Sequence, residues 1–150
     1  MLRSFFFKVV FYFGLAILCI IFIPSLVFPK KVVAFGGKLS GHWAVFCLRL
    51  ILSINIELRG SENILKNEKF FVASTHQSEF ETFYLQTLYN SPFFILKKEL
   101  LKIPVFGSLL KKLGCISIDR NKVSKENLNF SDEVGKVIKD TDKILIIFPQ

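Results

Sequence analysis

The sequence predicts an α/β fold: an N-terminal membrane helix or helices, followed by a mainly parallel sheet with helices on its faces, incomplete at the C-terminus. Three observations carry this expectation. Val9 to Pro29 is a run of 21 residues without a charge, between Lys8 and Lys30. From Phe70 to Phe148 short apolar runs alternate with helix-like segments, the pattern of strand–helix–strand units. The first of these runs, Phe70–Ser74, ends in a polar turn, Thr75-His76-Gln77-Ser78, that feeds a helical segment. Such junctions are where α/β proteins place reactive groups.

A chain of 150 residues allows one modest domain. Hydrophobic residues make up 51%, 18 of them Phe, and the mean hydropathy is +0.46. This is too apolar for an ordinary soluble domain and points to a membrane. The expected division is a membrane segment over 1–59 and an α/β domain over 60–150. At helical rise the run 9–29 covers about 30 Å, enough to cross the hydrocarbon core. A cleaved signal peptide is the rival reading, since Arg3 and Lys8 precede the run. Against it, the run is long for a signal core and no small-x-small cleavage site follows. Pro24 is expected to kink the helix near its end.

A second apolar segment, about 39–53, is interrupted by Arg49. A full span would place this charge near mid-membrane, at about 2.5–3.5 kcal/mol on insertion scales. An interfacial or re-entrant helix with Arg49 reaching the head groups is cheaper. His42, near its start, has no acid at useful spacing and reads as an interfacial residue. Ile54 to Leu58 alternates like a first strand.

Charge is uneven. Residues 1–60 hold seven Lys/Arg and the single acid Glu57, whereas 61–150 hold thirteen Lys/Arg against eleven acids. The basic excess sits beside the apolar segments, where it would meet anionic lipid head groups. Nucleic-acid binding is the rival use of basic charge, but no nucleic-acid motif accompanies it. Basic residues flank both ends of the first run, so charge bias does not fix its orientation. Cys19, Cys47 and Cys115 have neither disulfide-framework nor zinc spacing.

In the second half the expected elements are a strand at Phe70–Ser74, a helix at Phe80–Tyr89, a turn at Asn90-Ser91-Pro92 and a strand at Phe93–Lys97. Glu99–Leu113 holds a short basic helix closed by Gly114. Strands at Cys115–Ile118 and Ile144–Phe148 and a helix at Asn129–Lys139 complete the pattern.

The turn itself can be read physically. Ser78 and Glu81 have the Ser-x-x-Glu spacing of a capping box. His76 precedes the cap by two residues, and Glu81 stands in the first turn, close enough for the side chains to meet. A carboxylate on one imidazole nitrogen would fix the tautomer and leave the other to take a proton from a hydroxyl. From spacing alone the purely capping role is the stronger reading.

Resemblance shifts that balance. Thr75-His76-Gln77-Ser78-Glu79-Phe80-Glu81 resembles the first block of the 1-acylglycerol-3-phosphate acyltransferase family, Asn/Lys-His-Gln-Ser-x-x-Asp, with Glu81 for Asp and Thr75 for Asn or Lys. Gly114-Cys115-Ile116-Ser117-Ile118-Asp119-Arg120 resembles the second block, Gly-x-Ile-x-Ile-Asp-Arg. Ile147-Phe148-Pro149-Gln150 resembles the start of the third, Phe-Pro-Glu-Gly-Thr-Arg, with Gln for Glu. The resemblance implies His76 as general base, Glu81 as its orienting acid, Gly114 and Arg120 at the acceptor phosphate, and Phe148, Pro149 and Gln150 as the remnant of a third motif. A guanidinium fork suits a phosphate monoester.

The implied reaction moves an acyl group from acyl-CoA or acyl-carrier protein to lysophosphatidate, with the donor as cosubstrate and no metal or tightly bound cofactor. The implied partners are lysophospholipid, acyl donor, membrane lipids and, potentially, acyl-carrier protein. The implied location is a bacterial inner membrane, with the catalytic domain on its cytoplasmic side. The blocks are also expected to be cut within the third. The rivals are another lysophospholipid or glycerol-3-phosphate as acceptor, and a catalytically inactive, membrane-bound fragment.

Overall fold

The computed structural model describes residues 2–64, 70–118, 135 and 144–149. Two long helices come first: α1, Leu2–Ile21, and α2, Lys30–Leu52. They replace the expected continuous segment 9–29 and the shorter helix at 39–53. The chain leaves α1 at Phe22, tightens into a 3-10 turn over Ile23–Leu26 and re-enters a helix after Pro29. Pro24 lies in the first turn of this 3-10 segment, where its missing N–H costs nothing. Hydropathy marks which residues are apolar but not where the backbone reverses, which is why the boundaries moved.

Each helix keeps an apolar face outside the molecule. On α1 only Phe11 is buried, while Phe5, Phe6, Val9, Phe13 and Ile17 are exposed. On α2 a stripe of Val33, Ala34, Ser40, Gly41, Ala44 and Cys47 faces inward, and Phe35, Leu39, Phe46 and Leu50 face out. Helix α1 is long and apolar enough to cross a membrane. Exposed Arg49 falls in the last turn of α2, where a cation complements the helix dipole. His42 is exposed on the same helix.

After α2, Ser53 adopts a left-handed conformation (φ 56°) and ends the helix. The expected strand at Ile54–Leu58 does not form. Its side chains alternate in type, but the segment is mostly exposed and joins no neighbouring strand, so the alternation has no buried face to serve.

The remaining described elements are β1 (Phe71–Ala73), α3 (Glu79–Leu88), β2 (Phe93–Lys97), α4 (Phe106–Leu113), β3 (Ile116–Ile118) and β4 (Leu145–Ile147). The four strands form one sheet in the order β1-β4-β2-β3, all parallel. Strand β4 is inserted between β1 and β2. Val72 pairs with Ile146, and Phe94 pairs with Ile146 from the other side. The helix expected at Asn129–Lys139 lies outside the described residues.

Alternation splits the strands between two cores. Phe94 and Ile146 pack with Val33, Ala34, Leu109, Leu110 and Leu113 of α2 and α4. Phe93, Ile116 and Leu145 form a second cluster, with Ile95 and Ile147 beside it. Phe93, Phe94 and Ile146 are at most 2% exposed, so this centre of the sheet is the most deeply buried part of the fold. Helix α3 lies against α2 so closely that a Cβ at Gly41 would come within 2.4 Å of the Phe83 carbonyl oxygen.

Before α4 the chain makes a 3-10 turn, Lys98–Lys102, and then a tight reversal at Pro104-Val105. Val105 holds φ 63° and ψ −58°, and the Phe106 amide donates to the Pro104 carbonyl at 2.6 Å. A β-branched residue at positive φ is strained. Packing supplies the constraint: a Cβ at Gly107 would meet the Leu101 carbonyl oxygen at 2.2 Å.

Candidate active site

The turn after β1 is built in three steps. The β1–β4 ladder extends one bond further, from the Ser74 amide to the Ile147 carbonyl (3.0 Å), which fixes where the chain leaves the sheet. Ser78, in extended conformation, then caps α3. Its Oγ accepts from the Phe80 amide (3.3 Å), and Glu81 Oε2 accepts from the Ser78 amide (2.9 Å) and from Ser78 Oγ (3.1 Å). The expected capping box is present. His76 stands between these two anchors, at the C-terminal edge of the parallel sheet.

His76 Nδ1 lies 3.9 Å from Glu81 Oε2. This is electrostatic contact rather than a hydrogen bond. The two side chains are 36% and 28% exposed, while His76 Nδ1 itself is buried. The contact places a carboxylate on the Nδ1 side of the imidazole. The capping and imidazole roles of Glu81 therefore coexist on one oxygen atom. From β4, Phe148 brings its ring centroid to 4.5 Å from the imidazole, tilted by 38°. Phe148 stacks in turn on Phe94 at 6.3 Å. The aromatic face covers one side of the ring.

Strand order explains why Phe148 reaches His76 across 72 residues of chain. Because β4 is the neighbour of β1, their C-terminal ends emerge side by side. Pro149 follows at the same edge. Gln150, Asp119 and Arg120 lie outside the described residues. Gly114 is elsewhere: it closes α4 in left-handed conformation (φ 91°), its amide donating to the Leu110 and Lys111 carbonyls. It thus precedes β3 at the N-terminal edge of the sheet, opposite the His76 turn.

Sequence reasoning missed two neighbours, Glu79 and Tyr12. The hydroxyl of Tyr12, on α1, donates to Glu79 Oε2 at 2.5 Å. No local signal announces a contact between residues 67 positions apart. Among the described residues no three His, Cys, Asp or Glu side chains cluster as a metal site would. An apolar recess between the four helices, lined in part by Leu18, Phe22, Val33, Gln86 and Leu110, is not walled by His76 or Glu81.

A histidine beside a carboxylate, at the mouth of a parallel sheet, fits the comparisons with known proteins. The family model described as Acyltransferase matches residues 55–150, and the chain belongs to that family. It is 33% identical over 109 residues to a 1-acyl-sn-glycerol-3-phosphate acyltransferase of Pseudomonas aeruginosa, covering 73% of this chain and 42% of the relative. The chain thus spans about two-fifths of that curated relative's length. No solved structure matches it.

Proposed function

We propose that the protein transfers a fatty acyl group from a thioester donor, acyl-CoA or acyl-carrier protein, to the free hydroxyl of 1-acylglycerol-3-phosphate, giving phosphatidate for phospholipid synthesis. The observation that carries this reading is His76 held at 3.9 Å from Glu81 in the turn between β1 and α3. The related Pseudomonas protein supplies the acceptor class. In the reaction Nε2 takes the hydroxyl proton as the oxygen attacks the thioester carbonyl. The C–S bond then breaks, and the leaving thiolate recovers the proton from the imidazolium. Glu81 stabilises the charged imidazole between the two steps. A positioned base of this kind contributes about 10²–10⁴ in rate. Arg120, four positions after the start of β3, is the residue proposed for the acceptor phosphate. The donor is a cosubstrate, and the chemistry calls for no resident metal or cofactor.

The same reading sets the site at a membrane surface, proposed as the cytoplasmic face of a bacterial inner membrane. The outward apolar faces of α1 and α2, with Arg3 in the first turn of α1 and Lys30 and Lys31 at the start of α2, suit lipid and anionic head groups. The Tyr12–Glu79 bond favours a helical hairpin seated in one interface over α1 crossing alone. Tyr12 is near the middle of α1, so a crossing helix would carry the Glu79 carboxylate and the catalytic turn toward the bilayer centre, at several kcal/mol. Tyr12 and Trp43 are residue types that favour the interface.

The test is acyl transfer in membranes from cells making the protein, with labelled lysophosphatidate and either donor. Phosphatidate formation above that of control membranes is expected. Acylation of other lysophospholipids in its place would overturn the acceptor assignment.

A further inference from the structure

Helix α1 does more than cover α3; one of its side chains is bonded to the first residue of α3, directly after the turn that carries His76. Tyr12 Oη and Glu79 Oε2 are 2.5 Å apart, a short bond to an ionised acceptor and so of the stronger kind. The backbone beneath it is held on both sides. Phe11, next to Tyr12, is 6% exposed and sets its ring edge-on to Phe83 of α3 at 5.4 Å. The Phe11 carbonyl accepts from Trp43 Nε1 of α2 at 3.2 Å. Tyr12 is therefore presented to Glu79 from a fixed platform.

The turn holds two carboxylates in its first three helical residues, Glu79 and Glu81. Glu81 is secured by the Ser78 amide and hydroxyl. Glu79 instead accepts from Tyr12, outside the turn, on α1. Both acids are favoured at a helix N-terminus, so they compete for the same amides and the same neighbouring imidazole. A hydrogen bond that draws one of them toward α1 leaves the other to serve the cap and His76. We propose that Tyr12 is a positioning residue for acyl transfer: by holding Glu79 against α1 it fixes the first turn of α3, and with it the arrangement of His76 and Glu81. The proposal rests on the reading of His76 as base. It also means that α1, the helix suited to lipid, and the reacting turn are joined by a polar bond as well as by packing.

The experiment compares Tyr12→Phe, Glu79→Gln, the double variant and His76→Ala with wild type in native membranes. Three readouts are taken: steady-state acyl transfer, the rate of carbethoxylation at His76 and the emission of Trp43. His42, the other of the two histidines, is the internal reference for carbethoxylation, and Trp43, the single tryptophan, reports the seat of α1. Tyr12→Phe is expected to lower kcat about three- to tenfold with both KM values within about twofold, a fraction of the worth of a charge-assisted bond. The His76 rate is expected to change at least about twofold relative to His42, with Trp43 emission unchanged. The double variant is expected to be no worse than the poorer single one, since both remove the same bond.

Unchanged kcat and unchanged His76 reactivity in Tyr12→Phe would overturn the proposal. So would a loss of kcat that appears only with a red-shifted Trp43, because Tyr12 would then be a packing anchor. Full turnover by His76→Ala overturns the base reading, whatever Tyr12 does. An inactive His76→Ala beside an unaffected Tyr12→Phe overturns this proposal alone. If the membranes show no turnover, the base reading lacks its activity and the His76 rate in Tyr12→Phe still decides whether the bond sets the turn.

Discussion

Two turns of this chain carry sequence blocks of the same family, and the structure treats them differently. The His76 turn follows β1 at the C-terminal edge of the sheet. The Gly114 turn precedes β3 at the opposite edge. At the first, the backbone is pinned by a sheet bond at Ser74 and a capping box at Ser78, and His76 is held between them against Glu81 and Phe148. At the second, a glycine supplies a left-handed residue that ends α4 and starts a strand. The lesson is that motif residues divide into those that present chemistry and those that aim the chain, and only geometry separates them. Gly114 acts on the second block by setting the start of β3.

The comparison is sharpened most by Glu81. If Glu81 steadies the charged imidazole, Glu81→Gln should lower kcat by roughly 10–10², while Glu81→Asp retains most activity. A near-silent Gln variant would reduce Glu81 to its cap, because Gln serves that position too. Gly114→Ala should do the reverse. A Cβ there meets nothing within 4 Å, so the cost is backbone strain alone, about 1–2 kcal/mol in unfolding free energy, with kcat per folded molecule unchanged. A large loss of kcat without loss of stability would give Gly114 a role at the ligand. Smallest is Ser78→Ala. Losing the cap should cost about 1 kcal/mol, and Glu81 would keep the Ser78 amide while losing the hydroxyl, which a modest fall in kcat would register.

Much of this was legible because it is local. The capping box needs only Ser78 and Glu81 three residues apart, and the described strands lie within the apolar runs expected for them. Residues 71–73, 93–97, 116–118 and 145–147 are strands, and α3 differs from its expected bounds by one residue at each end. Non-local features were hidden. The insertion of β4 between β1 and β2 decides that Phe148 faces His76, yet strand order is set by packing of distant residues such as Phe94 and Ile146. The Tyr12–Glu79 bond is hidden for the same reason. Ile54–Leu58 was misread because alternation describes a strand's faces and not whether a partner exists. The hairpin of α1 and α2 was blurred because a reversal among apolar residues leaves the hydropathy high throughout.

The central claim is that the turn after β1 presents a general base. The most direct measurement is acyl transfer to lysophosphatidate by His76→Ala, beside wild type, with the unfolding midpoint and membrane association of each. The account predicts a fall of about 10²–10⁴ in kcat with midpoint and membrane association retained, because the His76 side chain is 36% exposed. Turnover within about threefold of wild type would contradict it and leave His76 a turn residue.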